Sequence, residues 1–304
     1  MLRITFRWRA LIPVCGQDRN IPLRLLTRRQ RRGRAGHLAV LDFAGLDAAN
    51  PPMIETLEPK SAKSNVDDAE VARFRAIAAE WWDPSGKFRP LHQIGPVRLE
   101  FIRDELILHF SLKPGLKPFT GLRLLDIGCG GGLISEPLTR LGGSVTGIDP
   151  GAENVAIARA HAEPQGLAID YRAVTAEDLV AAGEQFDAVV CLEVVEHVPD
   201  VGAFLKTCAA LVRPGGLMVL STINRTLKSY ALAIVAAEYV LGWLPRGTHQ
   251  WDRFVMPDEM ARYLDKAGMT SPRFSGMAYA PLRDEWKLTP DTDVNYLASS
   301  ARPA

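Results

Sequence analysis

Glu193, Glu196 and His197 stand at i, i+3 and i+4 just past Phe186-Asp187-Ala188-Val189-Val190-Cys191-Leu192, an apolar run that reads as a buried strand. If the turn after that strand is helical, two carboxylates and an imidazole converge on one rim. Such a set can do acid–base work, with His197 as base and Glu193 or Glu196 orienting it. It can equally ligate Mg2+ or Zn2+ through its oxygen and nitrogen donors, or His197 can simply hydrogen-bond to backbone. Upstream, Leu124-Leu125-Asp126-Ile127-Gly128-Cys129-Gly130-Gly131-Gly132 is an apolar run ending in an acid and then alternating glycines. Gly128, Gly130 and Gly132 lack a Cβ, so the backbone can turn tightly and press against a ligand before a helix over Leu133 to Leu141. This is the pattern of a nucleotide-type cofactor site.

The elements around these residues narrow the cofactor. A dinucleotide fingerprint wants Gly-x-Gly-x-x-Gly, but here the third glycine comes one residue early and Leu133 occupies the place of Gly or Ala. That spacing favours S-adenosylmethionine over NAD. Ser144-Val145-Thr146-Gly147-Ile148-Asp149 reads as a second buried strand ending in an acid about 20 residues on, where a carboxylate accepts hydrogen bonds from ribose hydroxyls. A further strand is expected over Arg213-Pro214-Gly215-Gly216-Leu217-Met218-Val219-Leu220-Ser221.

Taken in order, the Asp126 to Gly132 block, Gly147-Ile148-Asp149, Leu192-Glu193-Val194-Val195-Glu196-His197-Val198 and Arg213-Pro214-Gly215-Gly216 resemble the class I S-adenosylmethionine-dependent methyltransferases. Other segments narrow the resemblance: Glu80-Trp81-Trp82-Asp83-Pro84, Leu91-His92-Gln93-Ile94, Ser221-Thr222-Ile223-Asn224-Arg225-Thr226, Pro245-Arg246-Gly247-Thr248-His249 and Asp293-Val294-Asn295-Tyr296. Over roughly residues 65 to 297 the chain resembles the ubiquinone biosynthesis O-methyltransferase family. The resemblance implies an α/β, doubly wound Rossmann-like sheet with N-terminal helices and a helical lid insertion, residues 224–257, before the last strands. It implies S-adenosylmethionine as cofactor, with Arg98 beside its methionine carboxylate, a partner for which a guanidinium fork is suited. It places adenine contacts at Ala176 and at Glu177 or Asp178, although acids after a strand also serve as helix caps. Leu192 falls where members often carry Met, and Asp126, Gly128, Gly130 and Asp149 complete the expected cofactor set. Eukaryotic relatives imply a divalent cation, here Mg2+, at Glu193, Glu196 and His197.

The implied chemistry is O-methylation of a polyprenylated catechol and of demethylubiquinol, two steps through one site. A phenol has a pKa near 10, so acceptor activation calls for a base or a cation. Three alternatives stand beside this one: a class I methyltransferase with another small-molecule acceptor, a non-catalytic cofactor-binding scaffold of a quinone-synthesis complex, and a dehydrogenase, which Leu133 disfavours.

With 47% hydrophobic residues, the 304-residue chain can bury one large α/β core. A single methyltransferase domain is expected over residues 61–304. Residues 1–52 hold ten Arg, no Lys and three acids, a net of +7 against +1 for the whole chain. Residues 1–60 are therefore read as a basic extension. It is open to three readings: a disordered tail, a transit peptide, or translation that truly starts at Met53. A nucleic-acid partner is not expected, since aromatic and base-reading residues are sparse there. Cys15, Cys129, Cys191 and Cys208 lack Cys-x-x-Cys spacing and read as reduced thiols.

Residues 229 to 244 are an apolar stretch of 16 carrying one acid, Glu238, and flanked by Arg225, Lys228 and Arg246. The stretch is too short to span a bilayer. It suits a lid over a greasy acceptor, resting either in a lipid headgroup layer through residues 226–246 or wholly within the protein. The expected location is the cytoplasm, peripheral to the inner membrane and near other ubiquinone-synthesis proteins, or the mitochondrial matrix if residues 1–52 are a transit peptide. Before the cofactor block, Asp67 to Trp82 is expected to form a helix capped by Asp67 or Asp68, with Val71, Phe74, Ile77, Ala78 and Trp81 on one stripe.

Overall fold

The computed structural model describes residues 65–232, 250–280, 283 and 285–304. The chain divides between Leu57 and Glu58, and the architecture below is that of the second unit. The basic extension and half of the expected lid, residues 233–249, lie outside the described residues.

Helices α1 (Asp68–Ala76) and α2 (Arg89–His109) precede the sheet. The strands are β1 (Arg123–Ile127), β2 (Ser144–Ile148), β3 (Asp170–Arg172), β4 (Phe186–Leu192), β5 (Val212–Ile223), β6 (Arg273–Ala280), β7 (Glu285–Thr289) and β8 (Asn295–Ala301). Between them run α3 (Ser135–Arg140), α4 (Ala152–Ala162), α5 (Ala176–Ala181), α6 (Val201–Leu211), the short α7 (Leu227–Ser229) and α8 (Pro257–Lys266). The order is β3-β2-β1-β4-β5-β8-β6-β7. The first five strands are parallel, and β8 inserts antiparallel between β5 and β6. A dinucleotide fold would continue with a sixth parallel strand, so this sheet edge argues against the dehydrogenase alternative.

Both faces of the parallel strands are covered, which is why they read as near-continuous apolar runs. Side chains alternate between the faces: Leu125, Ile127, Val189, Cys191, Met218 and Leu220 pack with Leu179, Phe204, Leu205 and Leu264 on one side. Leu124, Ala188, Val190, Leu217 and Val219 meet Phe101, Ile102, Leu106 and Leu138 on the other. Cys129, Cys191 and Cys208 are buried free thiols. Among the described residues no helix is long and apolar enough to cross a membrane.

Because β1 lies between β2 and β4, the chain reverses its direction of winding there, and a crevice opens at the carboxyl ends of β1 and β4. The glycine loop after β1 and the Glu193 turn after β4 are thereby brought together. The N-terminal segment differs from expectation. Asp67 does cap α1, accepting from the N–H groups of Ala69 and Glu70, but the helix stops at Ile77 (φ −116°) and resumes as a single 3-10 turn, Ala78–Glu80. The break frees Trp81 from the α1 stripe and turns it toward the glycine loop.

Candidate active site

The Gly128 and Cys129 N–H groups donate to Ile148 O on β2 (2.8 and 2.9 Å), pinning the loop to the neighbouring strand. Gly128 and Gly130 hold φ of 71° and 51°, a region that disfavours side chains. A Cβ on Gly128 would stand 2.5 Å from Val194, and one on Gly130 2.4 Å from the Trp81 ring. The glycines are therefore demanded by close packing from two other segments as well as by the turn. The Asp149 carboxylate accepts from Gly130 N–H at 3.1 Å and Gly151 N–H at 2.7 Å. Burial pushes its pKa up. Asp126 accepts from Ser135 Oγ at 2.6 Å, and burial raises its carboxyl to about 7.

Arg98 lies on the buried side of α2 and is only 3% exposed. Its Nη2 sits 2.7 Å from Glu193 Oε1, yet Nε and Nη2 make no hydrogen bond. A guanidinium edge with unused donors, buried at the crevice, fits the carboxylate expected beside it. Ala176 opens α5, whose capping box joins Thr175 and Asp178. Asp178 thus serves as a cap, and Glu177 is the acid left facing the cavity. Leu192, at the end of β4, lines the same space.

The turn after β4 departs from the helical geometry expected of it. Glu193 takes a left-handed φ of 54°, and Val195–His197 form a 3-10 turn. The i, i+3, i+4 convergence therefore does not arise. Glu193 accepts from Ser221 Oγ (2.7 Å) and pairs with Arg98. Glu196 accepts from Thr222 Oγ1 (2.9 Å), and its Oε1 is buried without a hydrogen-bond partner. Burial, reinforced by Glu193, raises the Glu196 carboxyl to about 7. His197 Nδ1 lies 2.9 Å from Glu70 Oε2 on α1, with the Phe74 ring edge-on at 5.3 Å. Its hydrogen bond to His197 holds the Glu70 carboxyl below its usual range. The carboxylate that orients His197 is thus Glu70, not Glu193 or Glu196. Among the described residues no three His, Cys, Asp or Glu side chains are placed to hold a metal ion. With each of the three directed to a different protein partner, Glu193, Glu196 and His197 do not fit the Mg2+ site expected of them.

A cavity of about 1000 Å3 joins these features. Its wall includes Arg98, Asp126, Gly128, Gly130, Asp149, Ala176, Glu177 and Leu192 at the cradle, and Glu193, Glu196 and His197 beyond it. Phe74, Ile77, Leu91, Ile94 and Met277 are among its apolar lining. Trp81, expected on the apolar stripe of α1, lines it too, as do Glu70 and Asn154, which were not singled out from sequence. Asn154, five residues after the acid, was within reach of a local reading; Glu70, 127 residues from His197, was not.

The sheet order and the glycine cradle define a class I methyltransferase. Residues 98–271 match a family model described as "Methyltransferase domain". The ubiquinone biosynthesis O-methyltransferase of Parvibaculum lavamentivorans is 55% identical over 244 residues, 80% of this chain and 96% of that protein. The protein of the same name from Agrobacterium fabrum is 54% identical over 246 residues, 81% and 98% of the two chains. Among solved structures, the magnesium protoporphyrin IX methyltransferase of Synechocystis aligns with a TM-score of 0.52 at 20% identity, covering 77% of this chain and 94% of its own. An S-adenosylmethionine-dependent methyltransferase of Thermotoga maritima gives 0.51 at 17%, covering 77% and 99%. These two likenesses carry the fold. The chain belongs to the ubiquinone biosynthesis O-methyltransferase family.

Proposed function

We propose that the chain methylates the phenolic hydroxyl of polyprenylated catechol and demethylubiquinol intermediates of ubiquinone synthesis, both O-methylations passing through one site. The observation that carries this reading is a continuous cavity running from the glycine cradle to His197 between largely apolar walls.

S-adenosylmethionine, when bound, supplies a methyl group activated by a sulfonium. Arg98 would hold its carboxylate, Gly128 and Gly130 the backbone approach, Asp149 the ribose, and Ala176, Glu177 and Leu192 the adenosine side, with Asp126 supporting the loop. The acceptor must meet this methyl as a nucleophile, and a phenol at neutral pH is almost wholly protonated. With Nδ1–H donating to Glu70, His197 keeps its Nε2 lone pair free for the phenolic proton. His197 Nε2 would take the phenolic proton as the oxygen accepts the methyl group that the cofactor supplies, the C–S bonding pair leaving with the sulfur. Glu193 braces Arg98, and Glu196 sets a second buried oxygen beside the base. No step is routed through a cation.

The acceptor's tail calls for an apolar approach. Leu227, Tyr230, Leu232 and Trp251, at the two roots of the 233–249 segment, are exposed at 81%, 45%, 50% and 38%. They support a surface, residues 226–246, that rests on the membrane face from which the substrate is drawn. The test is incubation of the full chain with S-adenosylmethionine and short-chain forms of both acceptors, followed by mass spectrometry. Methylation of both is expected, and methylation of neither, despite cofactor binding, overturns the reading. Sedimentation with anionic liposomes, lost on deletion of 226–246, tests the surface; equal pelleting of the deletion removes it.

A further inference from the structure

Trp81 reaches the cofactor cradle in a way that neither the glycine motif nor the proposed chemistry accounts for. Its ring lies over the loop so closely that a Cβ on Gly130 or Gly131 would stand 2.4 or 2.5 Å from it, and it is only 7% exposed. Phe88 stacks on the indole, centroids 3.7 Å apart at 7°, which fixes the plane of the ring. The indole Nε1–H donates to Asn154 Oδ1 at 2.9 Å, and Asn154 Nδ2 donates to Asp149 Oδ1 at 3.1 Å. Asn154 is itself 3% exposed.

The direction of this relay is imposed by chemistry. An indole N–H can only donate, so it can pair only with the oxygen of the Asn154 amide. That choice turns the amide NH2 toward Asp149, which as a carboxylate can only accept. Without the indole, the amide could rotate by half a turn and set its oxygen against the carboxylate. The opposite Asp149 oxygen is held by Gly130 N–H, so the circuit closes on the loop that Trp81 covers.

We infer that Trp81 is a positioning residue for cofactor binding: through Asn154 it adds a side-chain hold to the one that the Gly130 and Gly151 N–H groups already place on the Asp149 carboxylate, keeping it in the orientation that receives the two ribose hydroxyls. The inference rests on the reading of Asp149 as the ribose ligand. Trp81 need not touch the ribose; it sets which end of the Asn154 amide meets the carboxylate.

The experiment compares the binding of S-adenosylhomocysteine and its 2′,3′-dideoxy analogue to the wild-type chain and to Trp81→Phe by calorimetry. Phenylalanine keeps an aromatic ring but removes the donor together with part of the indole that covers Gly130, so the dideoxy analogue serves as the control for lost packing. Trp81→Phe is expected to weaken S-adenosylhomocysteine roughly tenfold, the scale of one hydrogen bond in a charged network, and to leave the dideoxy analogue nearly unaffected. Equal loss for both ligands means the indole acts only as packing and overturns the inference, as does no loss for either. Where wild-type itself binds the two ligands equally, the Asp149 reading fails and the inference with it. Asn154→Ala cuts the relay from the other side and is expected to give the same ligand-dependent pattern, so a poorly folding Trp81→Phe leaves the test intact.

Discussion

Glu70 Oε2 and His197 Nδ1 lie 2.9 Å apart, joining the first helix of the domain to the turn after the fourth strand across 127 residues of sequence. The contact makes α1 part of the active site. Arg73 lies 2.6 Å from the same Glu70 oxygen, and Arg253 reaches Asp67, the cap of α1, at 3.2 Å. The helix that orients the imidazole is therefore tied to the turn that follows the 233–249 segment.

Removing the imidazole should cost most. His197→Ala is expected to lower kcat by about 10²–10⁴, the range for a general base. Glu70→Gln, which keeps the shape but weakens the hold on Nδ1, should lower it by roughly tenfold or more, with cofactor affinity nearly unchanged in both. Steady-state kinetics with calorimetric cofactor binding checks this; unchanged kcat in Glu70→Gln removes Glu70 from the mechanism.

Arg98 serves two anions with one guanidinium in the proposed complex, Glu193 and the cofactor carboxylate. Lysine offers a point charge and cannot span both. Arg98→Lys should weaken S-adenosylmethionine binding by about tenfold or more, measured as a dissociation constant. Binding within twofold of wild-type would place the carboxylate elsewhere.

Gly130→Ala combines a φ of 51° with a methyl carbon 2.4 Å from Trp81, so it should abolish the rise in Tm that cofactor gives. Gly166→Ala is the matched control: its φ is 66°, but nothing lies within 4 Å of the added carbon. It should cost about 1 kcal/mol of stability and keep the cofactor response. Equal behaviour of the two variants in thermal shift assays would show backbone strain alone at work.

Asp126 and Glu196 both carry carboxyls raised to about 7 by burial, while unfolded they titrate near 4. Between about pH 4 and 7 the folded chain holds protons the unfolded chain has lost, so their contribution to stability falls as pH rises through that window and stays low above it. Glu70, whose carboxyl is held down, acts oppositely, its contribution disappearing as pH drops below about 4.5. The ligand-free protein should lose about 3 °C or more of Tm between pH 5.5 and 8. Glu196→Gln should flatten that slope, and an unaltered slope would contradict the assignment.

The partners of Glu193, Glu196 and His197 leave no shared cation site, so EDTA is expected to leave turnover nearly unchanged. Activity lost with EDTA and restored by Mg2+ would require the Glu70–His197 contact to open.

Local patterns carried far in this chain, and their reach ended where the chain folds back on itself. Strand-ending acids and glycines are set by neighbours a few residues away, so the cradle at Gly128 and Gly130 and the acid Asp149 could be read directly, whereas the doubly wound sheet followed from the family resemblance. The turn after β4 could not: its left-handed Glu193 is imposed by Ser221 on the adjacent strand and Arg98 on α2, and the pattern Glu-x-x-Glu-His looks the same whether helical or not. Nor could Trp81, since a helical stripe predicts packing but not the break at Ile77 that turns the indole onto the glycines. Residues 1–64 and 233–249, where the basic extension and the lid were expected, fall outside the described residues.

The most direct measurement supplies the full chain with S-adenosylmethionine labelled at its methyl carbon and a short-chain demethylubiquinol, then locates the label by NMR. The expected result is label on a ring oxygen with wild-type and almost none with His197→Ala. Label on ring carbon, or undiminished O-methylation by His197→Ala, would contradict the account.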